Sequence, residues 1–206
     1  MRKLPEKSSK RGPKRGRGVL AEQIVTVARS SFAEHGYAST SMRSVANDAG
    51  VDPRLIGYYF SSKRALLEAC LIPPTGFVEG VARVTSSDLP TRGRSLVRFL
   101  LSSWERPDSA EVLRSILLTA AHEPVALERL RQIIHGSLIN AVAANLGDNE
   151  RVLRGGLIAT QMLGLAMTRY VWRIEPIASL PDDDVIDYIA PTIQRYLTDE
   201  LKPRLT

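Results

Sequence analysis

Two short apolar-periodic segments, separated only by Gly50, Val51 and an Asp-Pro pair, constrain this chain more than any other feature. In the first, Thr40 is expected to cap a helix on which Met42, Val45, Ala46 and Ala49 recur at i, i+3, i+4 and i+7. It stops at Gly50. Asp52-Pro53 then reads as an N-cap with proline at the first helical position. The helix it opens runs to about Tyr59, with Ile56, Tyr59 and Phe60 turned inward. Upstream, Leu20, Ile24, Val27, Ala28 and Phe32 mark one face of a longer helix that begins near Val19 and ends at Gly36. A long helix and two short ones, the latter joined by a glycine-containing turn, have the spacing of a helix-turn-helix, which a plain three-helix bundle shares. In the helix-turn-helix, the last helix is held outward, so that its first residues reach base edges in a major groove about 12 Å wide.

Charge points to the same end of the chain. Residues 1–18 carry eight lysines and arginines against one glutamate, whereas residues 19–72 are neutral and residues 73–206 carry one excess negative charge. A neutral body with a basic arm fits a polyanion bound at one end. The arm, with KRGPKRGRG at residues 10–18, has nothing to bury and is expected to be disordered in the free protein. Arg15 and Arg17, flanked by glycines, suit a phosphate backbone or a narrow minor groove; a solvated tail is the plainer alternative.

The remainder reads as helix to the end, without sustained strand alternation, so the fold class is all-α. Helices are expected near 61–72, 92–105, 109–122, 124–146, 149–173 and 182–200, and Pro191 is expected to kink or divide the last of these. The segment 151–173 is apolar on more than one face (Leu153, Leu157, Leu163, Leu165, Met167, Val171, Trp172), which calls for a core on one side and a second partner on the other. Ile186, Ile189, Ile193, Tyr196 and Leu197 continue the apolar pattern in the last helix. The longest uncharged stretch of this region, Gly155–Thr168, has 14 residues, short of the roughly 20 of a membrane span. No membrane association is therefore expected, and the basic N-terminus, with no apolar run behind it, is not expected to act as a secretory signal. The single cysteine, Cys70, excludes an internal disulfide and fits a reducing, cytoplasmic location. No Ser/His/Asp order, phosphate loop, metal-ligand spacing or paired carboxylates appear, so neither an enzyme nor a bound metal or cofactor is expected.

Residues 32–67, through FAEHGY, TSMRSVANDAGV and YYF-x-SK-x-x-L, resemble the DNA-binding domain of the TetR family of bacterial transcriptional regulators. The segments LVRFLLSSWERP, HEPVALERL and IEPIASLPDDDVIDYIAPTIQRYL more loosely resemble actinobacterial C-terminal domains of that family. The resemblance implies three parts: a basic arm at 1–18, a helix-turn-helix domain at 19–64, and a helical effector-binding and dimerisation domain at 65–206. It implies that Thr40 meets a phosphate at the start of the second helix, with Arg43 and Ser44 one turn in. Pro53, Arg54 and Leu55 are implied at the leading end of the reading helix, where Arg54 suits guanine O6 and N7 and Leu55 a thymine methyl. Tyr58 and Tyr59 match the aromatic pair that meets phosphates in the family, and Lys63 the start of the next helix. Gly57 departs from the pattern; it removes a side chain and weakens its helix by up to about 1 kcal/mol relative to alanine.

The resemblance further implies a ligand pocket, for which Phe99, Trp104, His122, Met162, Met167 and Tyr170 are the candidates, and a homodimer formed through the helices near 149–173 and 182–200. The expected function is a homodimeric repressor that holds a palindromic double-stranded DNA operator and is released by a small, apolar effector. A ligand-independent or activating DNA-binding regulator is the alternative.

Overall fold

The computed structural model describes residues 14–141 and 148–201. Among the described residues there are ten α-helices and no strand. The chain separates into two compact units, one ending at Cys70 and the other beginning at Leu71.

The first unit holds α1 (Lys14–Ser39), α2 (Met42–Asp48), α3 (Pro53–Tyr59) and α4 (Lys63–Cys70). Ile24, Ala28 and Phe32 of α1 are buried against Val45 and Ala46 of α2, Ile56 of α3, and Leu66 and Leu67 of α4. Phe60 and Tyr59, expected inside, are only half-buried at the end of α3. The fourth helix stays with this unit because its apolar face is buried here and because Arg29 Nε donates to the Cys70 carbonyl at 3.0 Å. The first unit therefore includes the whole of α4. Helix α1 starts five residues earlier than the apolar pattern marks: Gly16 and Gly18 each weaken a helix by about 1 kcal/mol, too little to stop one that Val19 and Leu20 continue. Of the basic arm, residues 1–13 lie outside the described residues, as do the side chains of Arg15 and Arg17. At Gly36 (φ 77°, ψ 165°) α1 breaks, and a last turn reaches Ser39.

The second unit comprises α5 (Phe77–Thr85), a 3-10 turn (Leu89–Thr91), α6 (Arg92–Glu105), α7 (Pro107–Ala120), α8 (Pro124–Ala141), α9 (Asp148–Ala166), a π-helical turn (Met167–Val171) and α10 (Asp182–Thr198). Its core joins Leu96, Val97 and Leu101 of α6, Ile158 and Leu165 of α9, and Val185, Ile186, Ala190, Ile193 and Leu197 of α10. Helices α6 and α10 meet closely at Gly93, where an added β-carbon would fall 2.9 Å from the Ala190 carbonyl oxygen. There the Gln194 amide bridges two backbone groups, accepting from Gly93 N–H and donating to the Leu89 carbonyl, both at 2.9 Å. Arg154, on buried α9 surface, donates to Glu150 and to the carbonyls of Tyr196 and Asp199, closing the C-terminal end of α10. At the other end of α10, Asp182 receives Arg169 Nη2 at 2.7 Å, while Asp182, Asp183 and Asp184 meet the positive end of the helix dipole.

Three features of the second unit go beyond the sequence pattern. The helix α5 was not legible in the sequence pattern. Pro191 does not divide the last helix: α10 runs unbroken, since proline removes one donor and its neighbours Ala190 and Ile193 are locked in the core. Ile186, Ile193 and Leu197 point into their own unit, so the exposed surface of α10 is carried by Tyr188, with Pro191 and Arg195. No helix among the described residues is long and apolar enough to cross a membrane.

Candidate nucleic-acid interface and apolar cavity

The turn between α2 and α3 is four residues, Ala49 to Asp52, and it closes through local bonds. Gly50 takes a left-handed conformation (φ 65°), Val51 N–H donates to the Ala46 carbonyl at 2.9 Å, and Gln23 of α1 ties down the Ala49 carbonyl at 2.9 Å. Asp52 then caps α3, its Oδ1 accepting from Arg54 N–H at 2.8 Å. With Ile56 wholly buried as the anchor, Pro53, Arg54, Leu55, Gly57 and Tyr58 are left exposed on one short helix. Tyr58, 65% exposed, stands edge-on to the half-buried Tyr59 ring, with centroids 5.3 Å apart. The space over Gly57 is open.

The start of α2 differs from the expectation. Thr40 is 3% exposed, and its hydroxyl donates to the carbonyls of Gly36 and Ser31 at 2.9 and 3.1 Å. It fastens the broken end of α1 and has no hydroxyl to offer a phosphate. Ser41 is the cap: its Oγ accepts from Ser44 N–H at 2.9 Å, while Ser44 Oγ accepts from Ser41 N–H at 3.0 Å. Ser44 is thus engaged in the cap, and Arg43 is exposed beside it. At the head of α4, Lys63 Nζ sits 4.2 Å above the Tyr37 ring and donates to the Ala38 carbonyl at 3.3 Å. Its ammonium is held in place by α1. Behind the interface, burial pushes the Cys70 thiol up to about 12, and its Sγ lies 3.6 Å from the Val25 carbonyl; the group is an inert core member.

The second unit holds a half-open cavity of about 120 Å³. Phe77 and Val81 of α5, Phe99 and Trp104 of α6, Ile116 of α7 and Met162 of α9 form its walls, and every described lining residue is apolar. Of the six residues expected at a ligand, Phe99, Trp104 and Met162 line it and three do not. His122 is exposed just past the end of α7, because that helix ends at Ala120. Met167 belongs to the π-helical turn beyond the cavity. Tyr170 stands one layer back: its ring stacks on Trp104 at 5.1 Å and 8°, and burial raises its phenol above the ordinary range. Arg114 fixes this residue from outside by donating to its carbonyl oxygen. Phe77 and Val81 were missed together with α5.

A helix-turn-helix unit, joined in one chain to a helical unit with an apolar cavity, defines a DNA-binding regulator of two-part build. Comparison agrees. The bacterial regulatory proteins of the tetR family match residues 24–70, and the tetracyclin repressor-like C-terminal domain matches residues 91–197. A TetR-family regulator from Streptomyces coelicolor A3 is 31% identical, with a TM-score of 0.63, over 93% of this chain and 100% of its own. The chain belongs to the TetR family of transcriptional regulators. The fold is shared by SmeT, solved with triclosan (15% identity, TM-score 0.63, 91% and 96% of the two chains). It is shared also by NalD, the secondary repressor of the MexAB-OprM multidrug efflux pump in Pseudomonas aeruginosa (19%, 0.60, 91% and 100%). Among curated proteins none matches the chain.

Proposed function

We propose that the protein is a cytoplasmic homodimeric repressor that holds a palindromic operator and releases it when a small apolar molecule enters the cavity of the second unit. The observation that carries this reading is the cavity itself, because a space whose described lining is apolar suits an apolar guest. The exposed face of α3 supplies the reading surface. Arg54 and Leu55 address base edges, and Arg43, Tyr58, Tyr59 and Lys63 address the phosphate backbone. The basic residues of the arm, Arg15 and Arg17 among them, add charge for the backbone. In place of Thr40, the backbone N–H groups that follow Ser41 meet the phosphate at the start of α2.

The chain itself provides a route between the two functions: Cys70 ends α4, whose first residue is Lys63, and Pro73 already lines the cavity. The bound ligands named for relatives, triclosan with SmeT and imidazole with the multidrug binding protein EbrR, support a small-molecule effector. Fluorescence anisotropy on an operator selected from random DNA, titrated with apolar compounds, tests the reading. An effector that weakens operator binding 100-fold differs by about 2.7 kcal/mol in its affinity for the two states, and DNA must weaken the effector equally. A compound that fills the cavity and leaves operator affinity unchanged removes the switch for that compound.

A further inference from the structure

The cavity has a wall whose position depends on a missing side chain. Gly80 lies on the inner face of α5, between the cavity residues Phe77 and Val81, and the Phe99 ring of α6 is seated against it. A β-carbon at position 80 would lie 2.8 Å from Phe99 Cζ and nearer still to Cε2, closer than real β-carbons come. The ring therefore has its present place only because residue 80 is glycine. On its other side it meets Phe77, with centroids 5.5 Å apart, and it faces the cavity. Neither the backbone nor any turn asks for glycine here, since position 80 is in the middle of a helix, where glycine is unfavourable. Packing against Phe99 is the remaining reason for it.

Resting on the reading of this cavity as the effector site, we propose that Gly80 and Phe99 form its size gauge, which limits the effector to an uncharged, apolar molecule of about one ring. Size follows from volume: an apolar cavity of roughly 150 Å³ accepts benzene, and this one measures about 120 Å³. The described lining disfavours a charged guest. The only heteroatoms among the described lining side chains are the Trp104 indole nitrogen and the Met162 sulfur, neither of which can compensate a buried ion. On the side of α5, the space a second ring would take is held by Phe99. A side chain at position 80 would push the Phe99 ring off α5 and into the cavity.

Calorimetric binding of benzene, toluene, naphthalene and benzoate to the full-length protein without DNA tests the gauge. Wild type takes up benzene and toluene, naphthalene at least about tenfold more weakly, and benzoate not at all. Phe99→Ala, with Phe99→Leu as the milder variant should the first unfold, gains at least about tenfold for naphthalene. Gly80→Ala loses at least about tenfold for toluene, while its helical circular dichroism and operator binding persist. The proposal is overturned if wild type binds none of the single-ring hydrocarbons or takes benzoate as readily as toluene. It is overturned equally if the size limit is the same in wild type and the Phe99 and Gly80 variants. Operator affinity is measured separately on the same proteins. Uptake that obeys the gauge without operator release removes the switch and leaves the gauge standing. Release by ligands that ignore the gauge does the reverse.

Discussion

At the scale of single residues, Arg54 of α3 and Lys63 of α4 are held differently, and the proposed reading gives them different roles. Arg54 has its backbone N–H committed to the Asp52 cap, while its side chain is exposed and its guanidinium free to turn toward a base edge. Lys63 is held at its ammonium by Tyr37 and the Ala38 carbonyl, and can offer only charge at a set position. Arg54→Ala is therefore expected to relax preference at one operator position at a cost of about 1–3 kcal/mol. Lys63→Ala is expected to weaken all sequences alike and flatten the salt dependence by about one unit. Competition binding with a panel of operator variants at several salt concentrations distinguishes the two; uniform loss for Arg54→Ala would make it a backbone contact. Which residues are exposed on α3 was legible from the sequence, because Asp52-Pro53 sets the helix start and Ile56 its buried side. The neighbouring Thr40-Ser41 pair was not, since both residue types cap helices and only the break at Gly36 decides which hydroxyl is drawn inward.

At the scale of elements, short helices depend on their ends. Seven-residue α2 has a reciprocal cap between Ser41 and Ser44, so Ser41→Ala is expected to lower stability by about 0.5–2 kcal/mol in urea unfolding. An unchanged midpoint would return the cap to Thr40. A second case joins α6 to α10. The last residue of α6, Glu105, hydrogen-bonds to Asp182, and that carboxylate, with some burial, raises its pKa. The folded protein thus keeps the Glu105 proton to higher pH than the unfolded chain does. Ionising Glu105 works against the fold, a penalty present above its raised pKa and relieved as the pH falls through it. Glu105→Gln is expected to raise the melting temperature near neutral pH, with an advantage that closes as the pH is lowered toward the ordinary glutamate value of about 4.3. A difference that does not change with pH would locate the effect in packing. Most of these helices were legible because their apolar stripes keep helical period between prolines. Helix α5 was not: Gly80 and the β-branched Val78, Val81, Val84 and Thr85 disfavour helix locally, and it is packing against α6 that makes FVEGVARVT helical. With α5 went two residues of the candidate cavity wall, Phe77 and Val81.

At the scale of the whole molecule, the second unit leaves apolar surface uncovered on the two helices that close its core. Tyr188 of α10 is 71% exposed, Val152 and Leu153 of α9 are exposed, and the small Gly156, Thr160 and Gly164 lie along the same helix. Thr160, Gly164, Thr168 and Ile189 line a groove of about 290 Å³ together with Tyr188. A helix row of small residues beside a large exposed aromatic ring suits a second copy of the same surface, in which each ring enters the other's groove around a two-fold axis. The apolar pattern of the α9 segment asks for a partner beyond its own core, whereas on α10 packing against α6 makes Ile193 interior. A charge at Ile193 would therefore report on folding. Tyr188→Asp keeps the core and places a carboxylate where the ring would be buried by a second copy, and burying an ion without a partner is costly. It is expected to give a monomer of unchanged helical content by analytical ultracentrifugation at micromolar concentration. Because two reading helices on one dimer gain from each other's tethering, that monomer is expected to bind a full palindrome about 10²-fold or more weaker, with little loss on an isolated half-site. A dimer that persists with the Tyr188 change combined with Leu153→Asp would put the interface on another face. A monomer that still holds the full palindrome as tightly as wild type would mean that the two half-sites are read independently.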